Sequence, residues 1–321
     1  MTLVNLAKAS WDAYYPSPND RNWYDLNGTS WVSSWDLTSR FGWRPGEDGF
    51  RGHLFLSSDR QHGIVVFKGT TVFQFGFDPN LDSSKRDRLN NNLLFSCCCA
   101  TVPWRIETSH PCQCNAGRGK CCSSCLTESL ENKDTYYKNA EMVVNYFQHK
   151  YPTTNFWLTG HSLGGALAAL VGTRFHLPTI SFEAPGDRLA SLRLGLTSSP
   201  SNASSLPYIT QIYNLIDPLA VGVCHGAFSV CAQLGYALES KCHTGRVMEF
   251  DLRGQGWQNP ILTHRIEMVI AMLEDESIPI PIAVPQSSCK DCTSWKFGDY
   301  TPIGKPWWRR LLDGLFGSGD H

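Results

Sequence analysis

The sequence predicts an α/β chain built on a mostly parallel sheet, and three observations carry that prediction. Apolar runs of strand length alternate with helical patterns along the chain. Tyr136, Ala140, Val143 and Phe147 recur at helical spacing, and the helix they predict stops near Tyr151-Pro152. Directly after it, the apolar run Asn155-Phe156-Trp157-Leu158-Thr159 passes through Gly160-His161-Ser162-Leu163-Gly164-Gly165 into Ala166-Leu167-Ala168-Ala169-Leu170-Val171. Helix, strand, tight turn and small-residue helix thus follow in order.

The other elements are read in sequence. The first 45 residues hold Trp11, Trp23, Trp31, Trp35 and Trp43 among polar and turn residues without a sustained period, and the aromatics are read as core cladding. Gly52-His53-Leu54-Phe55-Leu56 and Gly63-Ile64-Val65-Val66-Phe67-Lys68 predict two strands joined by the polar turn 57–62, the second apolar enough to be central. From Thr71 to Thr127 the pattern is irregular, with the charged patch Lys85-Arg86-Asp87-Arg88 and a crowd of cysteines, and predicts a disulfide-tied insertion. Strands follow at Thr179–Phe182 and Tyr208–Tyr213, and a late helix at Ile266–Leu273. No internal repeat is present. The reading is one domain over residues 1–292, with the insertion at about 71–127, and a tail over 293–321. In that tail Trp308, Leu311, Leu312, Leu315 and Phe316 fall at helical spacing opposite Arg309 and Arg310, the pattern of a short interfacial helix that would touch lipid; packing of that helix on the domain explains it equally well.

Composition narrows the functional classes. A formal charge of -1 over 321 residues provides no general basic field, so nucleic acid is not an expected partner. No apolar run reaches the roughly eighteen residues of a spanning helix. Residues 1–8 lack the basic and apolar regions of a secretory signal, so the chain is read as cytosolic or as lacking its targeting segment. The thirteen cysteines favour the second reading, because Cys97, Cys98, Cys99, Cys112, Cys114, Cys121, Cys122 and Cys125 crowd together at a density that suits an oxidising lumen. A zinc cluster is the rival, but the contiguous triplet and the Cys121-Cys122 pair fit ligand spacings poorly, and no metal is expected. The odd count leaves a thiol over, and the pairing is not readable from spacing. The sequons at Asn27 and Asn202 are candidate glycosylation sites that only a lumenal chain would use.

The chemistry centres on Ser162. A strand, a glycine-flanked serine and a helix form a nucleophile elbow, a strained turn that lifts the serine hydroxyl off the sheet beside backbone N–H groups. Gly160 and Gly164 hold the positions where a Cβ would meet the neighbouring backbone. The bland alternative is a glycine-rich turn whose serine caps a helix. Serine needs a histidine to take its proton and an acid to hold that histidine, in the chain order serine, acid, histidine. Among Asp187, Asp217 and Asp251, Asp217 directly follows a strand, whereas Asp187 reads as a helix cap. Among His225, His243 and His264, the first two adjoin cysteines and read as fixed in disulfide-bonded loops, which favours His264 narrowly; His161 reads as structural. The N–H of Leu163 and the N–H and hydroxyl of Thr70 are the candidate oxyanion donors.

Together, Phe67-Lys68-Gly69-Thr70, the elbow 160–165, Asp217-Pro218 and His264 resemble the class 3 lipases. Leu93-Leu94-Phe95-Ser96-Cys97-Cys98-Cys99, Phe182-Glu183-Ala184-Pro185-Gly186 and Cys242-His243-Thr244-Gly245 are similar to the fungal autophagic-body lipases, over residues 2 to 292 or so. The resemblance implies an α/β-hydrolase of the class 3 lipase type with Ser162, Asp217 and His264 as triad and Thr70 and Leu163 as oxyanion hole. It implies no cofactor, glycerolipid substrates in phospholipid membranes and vesicles, and a route through the secretory and endosomal lumen to the vacuole. Members of that family have a type II single-pass anchor, which this sequence does not carry. Two other readings share the motif: a secreted esterase or triacylglycerol lipase, and a catalytically silent lumenal binding module.

Overall fold

The computed structural model describes residues 2–26, 34–44, 49–75, 83–100, 110–226, 228–254 and 260–303. It corrects the reading of the first 45 residues, because Thr2–Asp12 form a helix, α1, and Trp35–Phe41 a strand, β1. The buried residues of α1 are Leu6, Ala7, Ala9, Ser10, Trp11 and Asp12. The small Ala7, Ala9 and Ser10 let part of the helix lie close on the sheet, and the Ser10 hydroxyl meets the Thr159 hydroxyl at 3.2 Å. Trp11 and Trp35 are buried, Trp23 and Trp43 half-buried; Trp31 lies outside the described residues.

β2 (Gly52–Ser57) and β3 (His62–Phe67) pair antiparallel across the expected turn. Their alternation assigns residues to layers: Leu54, Leu56, Val65 and Phe67 enter one core, Phe55, Ile64 and Val66 the other. The segment 71–127, expected to be irregular, is largely regular. It contains α2 (Thr71–Phe75), α3 (Ser83–Phe95), a small sheet of β4 (Asn115–Gly117) and β5 (Lys120–Cys122), and α4 (Ser123–Leu130). The expected disulfides are present, with Cys98–Cys121, Cys99–Cys112 and Cys114–Cys125 inside the segment and Cys97–Cys292 tying it to the late chain. Cys122 is the free thiol; it is buried and caps α4, accepting from the Cys125 N–H.

α5 (Tyr136–Lys150) leads into β6 (Asn155–His161), the Ser162 turn and α6 (Leu163–Phe175). Next come β7 (Thr179–Phe182), α7 (Arg188–Arg193), α8 (Pro200–Ser204), β8 (Ile209–Asn214), α9 (Val230–Gln233) and β9 (Arg246–Phe250). α10 (Pro260–Thr263), α11 (Ile266–Glu274), β10 (Val284–Pro285) and β11 (Lys296–Gly298) complete the described chain. The main sheet has the order β1-β2-β3-β6-β7-β8-β9-β10, parallel from β3 to β9 and antiparallel at both edges. α5 and α6 pack on the Leu54 face, α1 and α11 on the Phe55 face, giving three layers. β11 joins the small sheet beside β5. No helix among the described residues is long and apolar enough to cross a membrane.

Register brings the carboxyl ends of the central strands into one row. Phe67 pairs with Gly160, His161 with Phe182, and Phe182 with Ile212. Residues 68–71, 162, 183 and 214–217 therefore line the same edge, the side on which open α/β sheets place their sites.

Candidate active site

The Ser162 turn is strained and closely packed. Ser162 has φ +57°, in the region a residue with a Cβ rarely enters, and its N–H donates to Phe182 O at 2.9 Å. A Cβ on Gly164 would lie 2.1 Å from Phe67 O, and one on Gly160 2.5 Å from the Gly164 carbonyl, so the helix start lies directly on the end of β3.

Across the row, Ser162, His264 and Asp217 form one hydrogen-bonded line, and all three are buried. His264 Nδ1 lies 2.7 Å from Asp217 Oδ2 and Nε2 lies 2.9 Å from Ser162 Oγ. A carboxylate only accepts, so Nδ1 carries the hydrogen and Nε2 accepts from the serine hydroxyl. Asp217 is fixed in turn, since its Oδ1 accepts the Leu219 N–H and its own N–H donates to Asn214 Oδ1, each at 2.9 Å.

The rival residues are placed elsewhere. Asp187 stands at the start of α7 but makes no cap; its Oδ1 instead accepts from Thr244 N at 2.8 Å and Gln211 Nε2 at 3.0 Å, which corrects its reading as a cap. Asp251 is on the surface, paired with Arg253 at 2.6 Å. His243 is buried beside the Cys242–Cys289 disulfide and donates Nε2–H to Ala184 O at 3.0 Å. His225 is exposed next to the Cys224–Cys231 disulfide, so the bond fixes its backbone and not its ring. Asn202 is exposed at α8; Asn27 and the tail residues Trp308, Leu311, Leu312, Leu315 and Phe316 lie outside the described residues.

His161 shows how the chain supports His264. Its Nε2 meets the His264 carbonyl at 2.6 Å and must donate, so Nδ1 accepts from the Tyr14 hydroxyl, also at 2.6 Å. Burial and the adjoining His264 push its imidazole far below the usual range, which keeps it neutral. The other side is held by Gln74 on α2, whose Oε1 accepts the Ile266 N–H at 3.1 Å and whose amide donates to Glu267.

Thr70 follows β3 at the level of Ser162, and a Cβ on the preceding Gly69 would lie 3.1 Å from Ser162 Cβ. The Thr70 hydroxyl accepts from Asn91 Nδ2 at 2.7 Å. Beneath this loop Lys68 is buried, donating to Thr71 Oγ1 at 2.6 Å and Gly69 O at 3.0 Å, with Asp87 Oδ2 at 3.9 Å. Burial pushes Lys68 down and Asp87 up, while their mutual attraction opposes both shifts. Leu163 begins α6 directly after Ser162. Sequence reasoning missed Tyr14, Gln74, Asp87, Asn91, Glu183 and Asn214; for Asn91 the signal was the run Asn90-Asn91-Asn92 just before an apolar pair.

Buried acids and imidazoles predict the pH range of stability. Burial raises Asp12 to about 8 and Asp187 to about 7. Each therefore binds a proton more tightly folded than unfolded, and the stability it contributes is full only below its unfolded value of 3.8 and is lost as pH rises through 7 to 8. Burial lowers His53 to about 4 and moves His161 and His243 in the same direction, so their contribution is full above 6.5 and fades as pH falls below it. The melting temperature is expected to peak at about pH 6 and to fall by several degrees toward about pH 8.5. Asp12→Asn with Asp187→Asn should flatten the alkaline side; a melting temperature that climbs steadily from pH 6 to 8 contradicts the assignment.

Comparison with known proteins gives three findings. The family model described as Lipase (class 3) matches residues 105–179. A relative from Cryptococcus neoformans var. neoformans serotype D, named "Putative lipase ATG15", is 40% identical over 270 residues, covering 84% of this chain and 50% of its own. One of the same name from Mycosarcoma maydis is 36% identical over 361 residues, covering 94% and 66%. The chain thus spans half to two thirds of the length of these curated relatives. Among solved structures, the Lip2 lipase of Yarrowia lipolytica is 15% identical, with a TM-score of 0.40 over 78% of each chain.

Proposed function

The chain is an α/β-hydrolase of the class 3 lipase type and a homologue of these ATG15 relatives; from that premise we propose that it is a serine lipase that hydrolyses acyl esters of glycerolipids, phospholipids among them. The observation that carries the reading is the line Ser162 Oγ, His264 Nε2 and His264 Nδ1, Asp217 Oδ2 at 2.9 and 2.7 Å. Ser162 attacks the ester carbonyl and passes its proton to His264 Nε2, while Asp217 holds the tautomer and stabilises the imidazolium. The N–H of Leu163 and the N–H and hydroxyl of Thr70 receive the oxyanion. The imidazolium then gives its proton to the departing alcohol, and water, deprotonated by the same nitrogen, frees the acid from Ser162. Side chains and water suffice for these steps.

The relatives and the disulfides support a proposed setting. An oxidising lumen, the endosomal route to the vacuole and the membranes of autophagic bodies and other vesicles there are the proposed place and substrate, with Asn27 and Asn202 as glycan acceptors and the tail from Trp308 to Phe316 as a lipid contact. The test is hydrolysis of phosphatidylserine vesicles and of triacylglycerol emulsions, at acidic and neutral pH. Release of fatty acid from both, faster from vesicles than from monomeric short-chain ester, is the expected result. Action on monomeric ester alone makes the chain an esterase, and no action on any ester leaves the binding module.

A further inference from the structure

Glu183 is the first residue past β7, and nothing in the proposed reaction uses it. It is fully buried, its N–H donates to Ile212 O at 2.8 Å, and its φ is +45°, the left-handed region that favours glycine. A long carboxylate side chain on strained, buried backbone is unfavourable twice over, and such strain clusters at functional sites. Its surroundings show what the side chain does there. Oε1 accepts from Asn214 N at 3.0 Å and from Asn214 Nδ2 at 2.9 Å. Asn214 passes the support on, its Oδ1 receiving the Ile216 and Asp217 N–H groups and its Nδ2 facing Thr263 O at 3.3 Å, one residue before His264. The second oxygen, Oε2, is buried without a donor or cation facing it among the described residues. What adjoins it is the carboxylate of Asp217.

A buried, donor-less carboxylate beside a second carboxylate is the arrangement that keeps a proton. Burial first, then the charge of Asp217, raise the Glu183 carboxyl well above the usual range. Of the other titratable groups at this end of the sheet, Tyr213 on β8 donates to Glu249 on β9 at 2.5 Å, His161 on β6 is neutral, and the buried Lys68 faces Asp87 Oδ2 at 3.9 Å.

We propose that Glu183 is a positioning residue: a neutral carboxylic acid whose Oε2–H donates to the Asp217 carboxylate, so that two adjoining carboxyls hold one proton and one negative charge, and Asp217 stays aimed at His264 Nδ1. This rests on the reading of Ser162, His264 and Asp217 as the reacting groups. Asp217 then has a donor at each face, the Leu219 N–H on one side and an acid on the other. An ionised Glu183 would instead add a second negative charge close to His264 and favour its imidazolium.

The amide of glutamine offers the same acceptor and the same donor as the acid, which makes Glu183→Gln the discriminating variant. It is compared with Glu183→Ala and the wild type on a soluble short-chain ester, through kcat and KM from about pH 5 to 9. Glu183→Gln is expected to melt like the wild type, to retain kcat within about threefold and to keep the same acid limb of the pH profile. Glu183→Ala is expected to lose about 10- to 100-fold in kcat with KM little changed. The difference infrared spectrum, wild type minus Glu183→Gln at neutral pH, should contain the C=O stretch of a protonated carboxyl. A Gln variant that fails to fold, an acid limb moved by about a unit, an unaffected Ala variant or an absent carboxyl band each overturns the proposal. If the wild type shows no ester hydrolysis, the reading of the site fails instead, and the infrared band still decides the state of Glu183.

Discussion

Ser162→Ala is expected to abolish ester hydrolysis, lowering kcat by about 10⁴- to 10⁶-fold, while the protein melts within a degree or two of the wild type. The loss is large because Ser162 Oγ, at 2.9 Å from His264 Nε2, is the group placed to form the bond to carbon; without it, His264 has no proton to remove. The fold should be spared, because the substitution removes one hydroxyl and keeps the Cβ that the φ of +57° already accommodates. His264→Ala should cost about as much, and the double variant no more than either alone, since residues that act as one unit do not add. A fluorophosphonate that labels the wild type and spares Ser162→Ala provides a second reading. Full labelling of the alanine variant, or activity retained above about a tenth, removes Ser162 from the reaction.

Joint replacement of Cys97 and Cys292 by serine is expected to lower the free energy of unfolding by about 4 to 5 kcal/mol. This bond closes a separation of 195 residues, the longest loop among the disulfides, and loop entropy grows with the logarithm of that length. Both residues are replaced together so that no new thiol is left to pair with Cys122. Local geometry strengthens the case. Cys97 N donates to Glu239 Oε2 at 2.7 Å and its carbonyl accepts from Arg193 Nη2 at 2.5 Å, so one end of the bond is anchored to two other parts of the chain. The comparison is a urea titration of both proteins under oxidising conditions, read as midpoint and slope. A midpoint equal to the wild type would mean that residues 292–303 hold their place without the link.

Much of this architecture is legible in the sequence because period and packing agree there. β3, β6 and α6 bury mainly apolar side chains, with Thr159, His161 and Thr173 as the polar exceptions, and Ser162, Asp217 and His264 follow the ends of such elements. The missed elements bury polar or very small side chains. α1 buries Ala7, Ala9, Ser10 and Asp12 beside Leu6 and Trp11, so its hydrophobic signal is weak. α3 contains Asn90, Asn91 and Asn92, poor helix formers that read as loop. Each is buried because it satisfies backbone or hydroxyl groups elsewhere, at Tyr136 N, Thr70 Oγ1 and Ala237 N. Glu183 escaped for a related reason, because a charged residue before Ala184-Pro185-Gly186 reads as a turn, and its role depends on a strand thirty residues further on. Partners distant in the chain leave no local pattern.

The bond from the His161 ring to the His264 carbonyl has a mechanical consequence. His161 and Ser162 are joined by one peptide bond, so the backbone that carries the serine also grips the backbone that carries the imidazole. When the sheet breathes, the two ends of the 2.9 Å contact ride on the same support, and their separation changes less than either position does. Thermal motion of the sheet becomes common to both partners, and alignment survives fluctuations larger than the contact itself could tolerate.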